Sequence, residues 1–144
     1  MLRDRLLQAV ITVVFACVHN AGRSQMAAAF FNALADLSKA RAISAGTQPA
    51  ERVNPVVVEA MREAGIDVGS NRPQRLTDDL ARQATLLVTM GCGEECPYVP
   101  GVERDDWPLD DPAGQPLERV RAIRDDIQRR VHTLVTRKGV AAKL

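Results

Sequence analysis

The chain has 144 residues, 46% of them hydrophobic, enough for one domain over residues 1–144 with a sizeable core that needs no staples. A net charge of +1, with basic and acidic residues interspersed, argues against a nucleic-acid footprint and a membrane patch, and an aromatic content of 3% against stacking platforms for single strands. Three cysteines are too few and too odd a number for a secreted disulfide framework, and they suit a reducing cytoplasm where thiols do chemistry.

The opening MLRDR followed by LLQAVITVVFAC is loosely like a signal peptide, with Cys17 as a lipid-anchor cysteine. Gln8 interrupts that apolar run and no polar linker follows the cysteine, so Ile11 to Ala16 reads instead as a buried first strand. No stretch is long and apolar enough to span a bilayer. Ser24 to Leu37 is Ala-rich and helical, and Arg41 to Ser44 is a short second strand closed by Ala45 and Gly46. Asn54 caps the next helix, Pro55 takes its first position and Gly65 ends it. Thr77 caps a shorter helix with Asp78 and Asp79 at its positive end. Thr85 to Thr89 is a third strand, and a fourth lies near Val102 to Trp107. Leu117 to Val135 is a long last helix with Val120, Ile123, Ile127, Val131 and Leu134 on one stripe, and residues 139–144 read as a frayed tail.

Strands alternating with helices predict an α/β fold around an open parallel sheet, and such sheets bind ligands outside the carboxyl ends of their strands. Cys17, Cys92 and Asp111 follow the first, third and fourth strands, so three reactive groups converge on one sheet edge. The loop from Val18 through His19, Asn20 and Ala21 to Gly22 runs straight into a helix. Successive N–H groups in such a loop form an anion nest, the helix terminus adds partial positive charge, and Arg23 offers a planar fork to an oxyanion. The same groups favour the Cys17 thiolate, and Ser24 can donate a hydrogen bond to it. The stretch reads as a phosphate-like anion cradle with a nucleophile at its floor, against the plainer reading of a buried cysteine and a solvated arginine.

The segment MGCGEECP sets Cys92 and Cys96 four apart, on one face of a helical turn, with Gly91 and Gly93 allowing rearrangement and a disulfide. Metal binding wants about four ligands, and His19 or His132 completes the set poorly. Two inert core cysteines are a further reading, disfavoured in a Gly-rich segment at a strand end. A redox pair suits the third thiol at the same edge. His19 reads as orienting backbone and His132 as surface. Asp111 precedes Pro112, which fixes its backbone, and is a candidate general acid, with Asp110 as its competitor and a simple Asp-Pro turn as the plain alternative.

CVHNAGRSQMA after an apolar strand resembles the active-site loop of low-molecular-weight protein tyrosine phosphatases and, more closely, their arsenate-reductase relatives. SAG at 44–46, NP at 54–55, VTMGCGEECP at 88–97 and WPLDDPAGQ at 107–115 extend the likeness in collinear order from residue 11. The resemblance implies a four-stranded parallel sheet flanked by helices and the anion bound after the first strand. It implies a thioredoxin-coupled reduction of arsenate. Cys17 attacks arsenic, Cys92 resolves the adduct, Cys96 is the exposed second relay thiol that carries the disulfide to the surface, and Asp111 protonates the leaving oxygen. Phosphate and sulfate are expected as competing oxyanions. The relay spacing is shorter than in better-known members. Some members bind a potassium ion near the loop. Of that set only Asn20 is matched here, with Ala28 where an acidic residue would stand, so neither a metal nor another cofactor is expected.

A tyrosine phosphatase is the enzymatic alternative, since Cys17, Arg23 and Asp111 serve both reactions. Ala113 and Gly114 follow Asp-Pro where phosphatases of this fold present aromatic residues, and Cys92 and Cys96 have no task in a hydrolase. A non-catalytic thiol sensor of arsenic or oxidants is the third reading, and it has no need of an acid at Asp111.

Overall fold

The computed structural model describes residues 10–142. The leader-like reading of the N-terminus rests in part on residues 1–9, which lie outside the described residues. Four strands, β1 (Ile11–Cys17), β2 (Ala40–Gly46), β3 (Leu86–Thr89) and β4 (Glu103–Asp106), form one sheet in the order β2-β1-β3-β4. All three pairings are parallel, as the alternation of strand and helix predicts. The chain moves from β1 outward to β2, then returns to β3 on the other side of β1. That reversal opens a crevice at the carboxyl ends of β1 and β3, where such sheets bind ligands.

Side chains of β1 alternate between two cores, because successive Cβ atoms point to opposite faces. Val13, Phe15 and Cys17 pack with α1 (Arg23–Leu34), α2 (Pro55–Glu63) and α4 (Leu117–Arg137). Val14 and Ala16 pack on the other face with Leu76, Leu87, Ala81 of α3 (Asp78–Arg82) and the two cysteines Cys92 and Cys96. The expected stripe of α4, Val120, Ile123, Ile127, Val131 and Leu134, is buried throughout. Both sequence-read caps hold: the Asn54 side chain accepts from Val56 N at 2.9 Å and Thr77 Oγ1 from Leu80 N at 3.1 Å. Glu63 at the end of α2 accepts from Arg121 and Arg124, which clamp α2 to α4.

Two boundaries differ from expectation for one reason. The first helix stops at Leu34, not Leu37, because Ala35 turns extended (φ −84°, ψ 149°) and bridges antiparallel to Ala141. The expected frayed tail therefore docks over residues 139–142. Val140 is buried, its carbonyl accepts from Asp36 N at 2.7 Å, and Ala142 N donates to Leu34 O at 2.9 Å. Burying one such valine stabilises by about 1.5–3 kcal/mol, enough to hold a short end in place. Residues 143–144 lie outside the described residues. No helix among the described residues is long and apolar enough to cross a membrane.

Candidate active site

The loop between β1 and α1 is shaped by what its carbonyls do. Cys17 O accepts from Thr47 N (3.1 Å), Val18 O from Gln48 N (2.7 Å), His19 O from Ala50 N (2.9 Å) and Ala21 O from Asn54 N (2.9 Å). The β2–α2 connection thus occupies these carbonyls, and in each planar peptide the following N–H points the opposite way from the C=O. Gly22 N-caps α1 without a side-chain hydrogen bond, and no acidic residue occupies the first turn. The helix terminus keeps its free donors and its positive end for an anion.

Cys17 is 2% exposed at the floor, with its Sγ 2.9 Å from Ser24 Oγ. Ser24 Oγ already accepts from Asn20 Nδ2 at 2.7 Å, so its own proton is available to the sulfur. Asn20 is the one non-glycine described residue with positive φ, 50°, and it is fully buried. Its side-chain oxygen accepts from Gln74 N at 2.9 Å, which fixes the amide with its nitrogen toward Ser24.

A cavity of about 260 Å³ opens above Cys17. Its wall includes His19, Ala21, Gly22 and Arg23 from the loop, and Asp111, Pro112 and Ala113 from the segment after β4. Arg23 is 6% exposed; its Nη1 donates to Leu109 O at 3.1 Å and its Nη2 lies 3.6 Å from Asp111 Oδ2. Arg23 Nε is the only buried side-chain nitrogen or oxygen among the described residues without a partner, a vacant donor on a residue of the cavity wall. Asp111 and Asp110 separate cleanly. Asp111 lines the cavity, while Asp110 pairs with Arg119 and borders a different hollow against α4.

Three glycines are required by crowding around the site. A Cβ on Gly46 would sit 2.5 Å from Val18 O and 2.9 Å from Asn20 N, so β2 makes room for the loop only because that side chain is missing. A Cβ on Gly22 would sit 2.5 Å from Pro112 Cγ, and one on Gly91 would collide with Arg23 Nη1.

Cys92 and Cys96 form a disulfide with a Cα–Cα distance of 5.5 Å, the usual span for such a link, across a 3₁₀ turn at Gly93–Glu95. Cys17 is the free cysteine. The expectation of an exposed Cys96 is corrected here: each cysteine of the pair is 5% exposed, because both pack into the apolar cluster with Val14, Ala16 and Leu87. The disulfide also lies on the opposite sheet face from Cys17.

Of the loop residues read from the sequence, Asn20 and Ser24 stand behind the cavity and the exposed His19 on its rim. The sequence reading missed Arg52, Val53 and Ala50, which complete the wall, and Gln25, which holds Asn20. The residues near the loop do not fit a potassium ion. Ala28 supplies no oxygen, and both oxygens of Asn20 already accept from Gln25 Nε2, at 3.0 Å to O and 3.2 Å to Oδ1.

Comparison with known proteins agrees with this geometry. A family model described as low molecular weight phosphotyrosine protein phosphatase matches residues 12–143. The chain is 42% identical over 121 residues to a provisionally named arsenate reductase of Halobacterium salinarum, covering 81% of this chain and 85% of that one. It is 33% identical over 129 residues to arsenate reductase 2 of Staphylococcus epidermidis, covering 88% and 97%. The solved thioredoxin-dependent arsenate reductase of Corynebacterium glutamicum superposes with a TM-score of 0.79 at 36% identity, over 93% of this chain. This chain spans 64% of that protein's length.

Proposed function

Because this chain belongs to the low molecular weight phosphotyrosine protein phosphatase family, whose arsenate-reducing members it resembles at 33% identity and above, we propose that it reduces arsenate to arsenite through three thiols and is regenerated by thioredoxin. The observation that carries the reading is the pairing of a free Cys17 under an oxyanion cavity with a Cys92–Cys96 disulfide at the same sheet edge. That is the thiol inventory expected at the end of one turnover, before the external reductant acts.

The chemistry runs as follows. The loop N–H groups and Arg23 hold arsenate, and the Cys17 thiolate attacks arsenic. An arsenic–sulfur bond forms and an arsenic–oxygen bond breaks, with Asp111 supplying the proton that lets the oxygen leave as water. The Cys92 thiolate then attacks Cys17 Sγ. The arsenic–sulfur electron pair returns to arsenic, which falls from the pentavalent to the trivalent state and departs as arsenite, leaving a Cys17–Cys92 disulfide. Cys96 displaces Cys17 from that disulfide, restoring the nucleophile, and the dithiol of thioredoxin reduces Cys92–Cys96. Phosphate and sulfate compete for the same donors. A reducing cytoplasm suits this cycle, since Cys17 must stay a thiol between turnovers.

The phosphatase reading is weakened by the cavity wall. No Phe, Tyr or Trp among the described residues lines it to hold a phosphotyrosine ring, and Ala50, Val53 and Ala113 stand there instead. The sensor reading gives no role to Asp111 beside Arg23. The test is arsenate-dependent oxidation of NADPH in the presence of thioredoxin and its reductase. Cys17→Ser is expected to end all turnover, and Cys92→Ser to end coupled turnover while sparing any weak ester hydrolysis. Full coupled turnover by the double variant Cys92→Ser/Cys96→Ser would sink the relay.

A further inference from the structure

We propose that Gln25 is a positioning residue for the Cys17 nucleophile, one that acts from behind the loop through Asn20 and Ser24. The inference rests on the reading of Cys17 as the attacking thiol, but its test needs no arsenate.

Gln25 sits in the first turn of α1, 4% exposed, two residues beyond Arg23. It touches neither the sulfur nor the cavity. Its Nε2 donates to both oxygens of Asn20, and its Oε1 accepts from Asn71 Nδ2 at 3.2 Å. The amide orientation is not a free choice. Asn20 O can only accept, so the atom facing it must be the nitrogen. The order of groups is then fixed from the surface inward: Asn71 donates to Gln25, Gln25 to Asn20, Asn20 to Ser24, and Ser24 to Cys17.

The chain of donors does two things. It restrains Asn20 at a φ of 50°, a conformation that costs a non-glycine residue on the order of 1 kcal/mol or more and persists only when its surroundings enforce it. It also orients the Asn20 amide so that Ser24 must accept on one side and has its proton left for sulfur on the other. Asn20 O and Oδ1 are bridged by one neutral amide nitrogen.

The charged and titratable groups that face Cys17 are His19 and Arg23 of its own loop and helix, Arg52 from the β2–α2 connection and Asp111 from the segment after β4. None of them touches Gln25, so a Gln25 variant leaves them in place. Gln25→Met keeps the length and loses both donors.

The experiment follows the rate of iodoacetamide alkylation against pH, with the Cys92–Cys96 disulfide intact so that Cys17 alone reacts. Thermal unfolding is recorded in parallel. Gln25→Met is expected to slow the reaction roughly tenfold in mildly acidic buffer. Asn71→Ala, at an exposed position, is expected to slow it by less. A folded Gln25→Met with the parent's profile overturns the proposal. If Gln25→Met fails to fold, an Asn71→Ala that reacts at the parent's rate overturns it and a slowed one supports it. Failure of any of these leaves arsenate turnover by the parent, and with it the functional reading, untouched.

Discussion

The loop at Cys17 and the segment carrying Cys92 and Cys96 meet at one sheet edge but are built on opposite terms. In the loop, every carbonyl from Cys17 to Ala21 is taken by a donor from elsewhere in the fold, and the one unusual backbone angle belongs to an asparagine held on several sides. In the segment from 91 to 101, three glycines take positive φ (96°, 57° and 86°), and the hydrogen bonds at 92–96 are the local contacts of a short turn. Side-chain ties to the rest of the molecule are few among the described residues: Glu95 accepts from Thr47 at 3.2 Å and Gln48 at 3.5 Å, Pro97 O accepts from Arg104 at 3.4 Å, and Cys92 Sγ lies 3.9 Å from Ala16 O. The contrast teaches a division of labour. Binding a tetrahedral anion and lowering a barrier need fixed donors. The proposed passage of a disulfide from one sheet face to the other needs a hinge, and glycines in the left-handed region permit one.

The largest effect expected on the fixed side is Asp111→Asn. It should slow formation of the arsenic–sulfur adduct by about 10²–10⁴-fold, the range for a lost general acid, while oxyanion affinity stays near that of the parent. Asp110→Asn, which only unpairs Arg119, should leave the rate close to unchanged. Single-turnover arsenite release measures both, and a reversed ranking would move the acid one residue back.

A smaller effect sharpens the structural half of the contrast. Gly46→Ala drives a methyl group into the loop backbone and should cost about 1–3 kcal/mol of stability, the usual range for overpacking, and slow Cys17 alkylation with it. Gly93→Ala meets nothing within 4 Å and bears only the strain of its φ, about 1 kcal/mol, with Cys17 unaffected. Urea unfolding and alkylation rates on both variants decide the matter; equal effects on Cys17 would erase the distinction between the two regions.

The smallest expected effect is at Glu63, away from both. Hydrogen bonds from Arg121, and then Arg124, hold its carboxyl at about 2 against an ordinary 4.5. A depressed carboxylate pKa means that its stabilisation is present above about pH 4.5 and disappears as pH falls toward 2. Glu63→Gln should therefore lower the melting temperature slightly at neutral pH and low salt, and match the parent near pH 2. The pair is exposed enough for salt to shrink the difference.

Much of this was legible in the sequence because it is local. The caps Asn54 and Thr77, the stripe of α4 and the run from Cys17 to Ser24 all declare themselves within a few residues. What escaped depends on contacts between distant segments. Leu34 ends its helix because Ala141 returns to pair with Ala35. Gln25 finds Asn71, and Asn20 finds the backbone of Gln74, across intervals that carry no periodic signal. The burial of Cys96 follows from a shared apolar cluster on the far sheet face, where the resemblance implied an exposed thiol.

Gly91 links the two regions through an atom that is not there. Arg23 lies where its side chain would be, so the guanidinium proposed to hold the oxyanion uses the backbone of the proposed relay segment as one wall. A mutational screen of residues 91–101 for slow thiol transfer would collect Gly91→Ala among its hits, yet that variant's first defect would be a raised KM for the anion. Screening by disulfide exchange alone would misfile a substrate-binding position as a redox one.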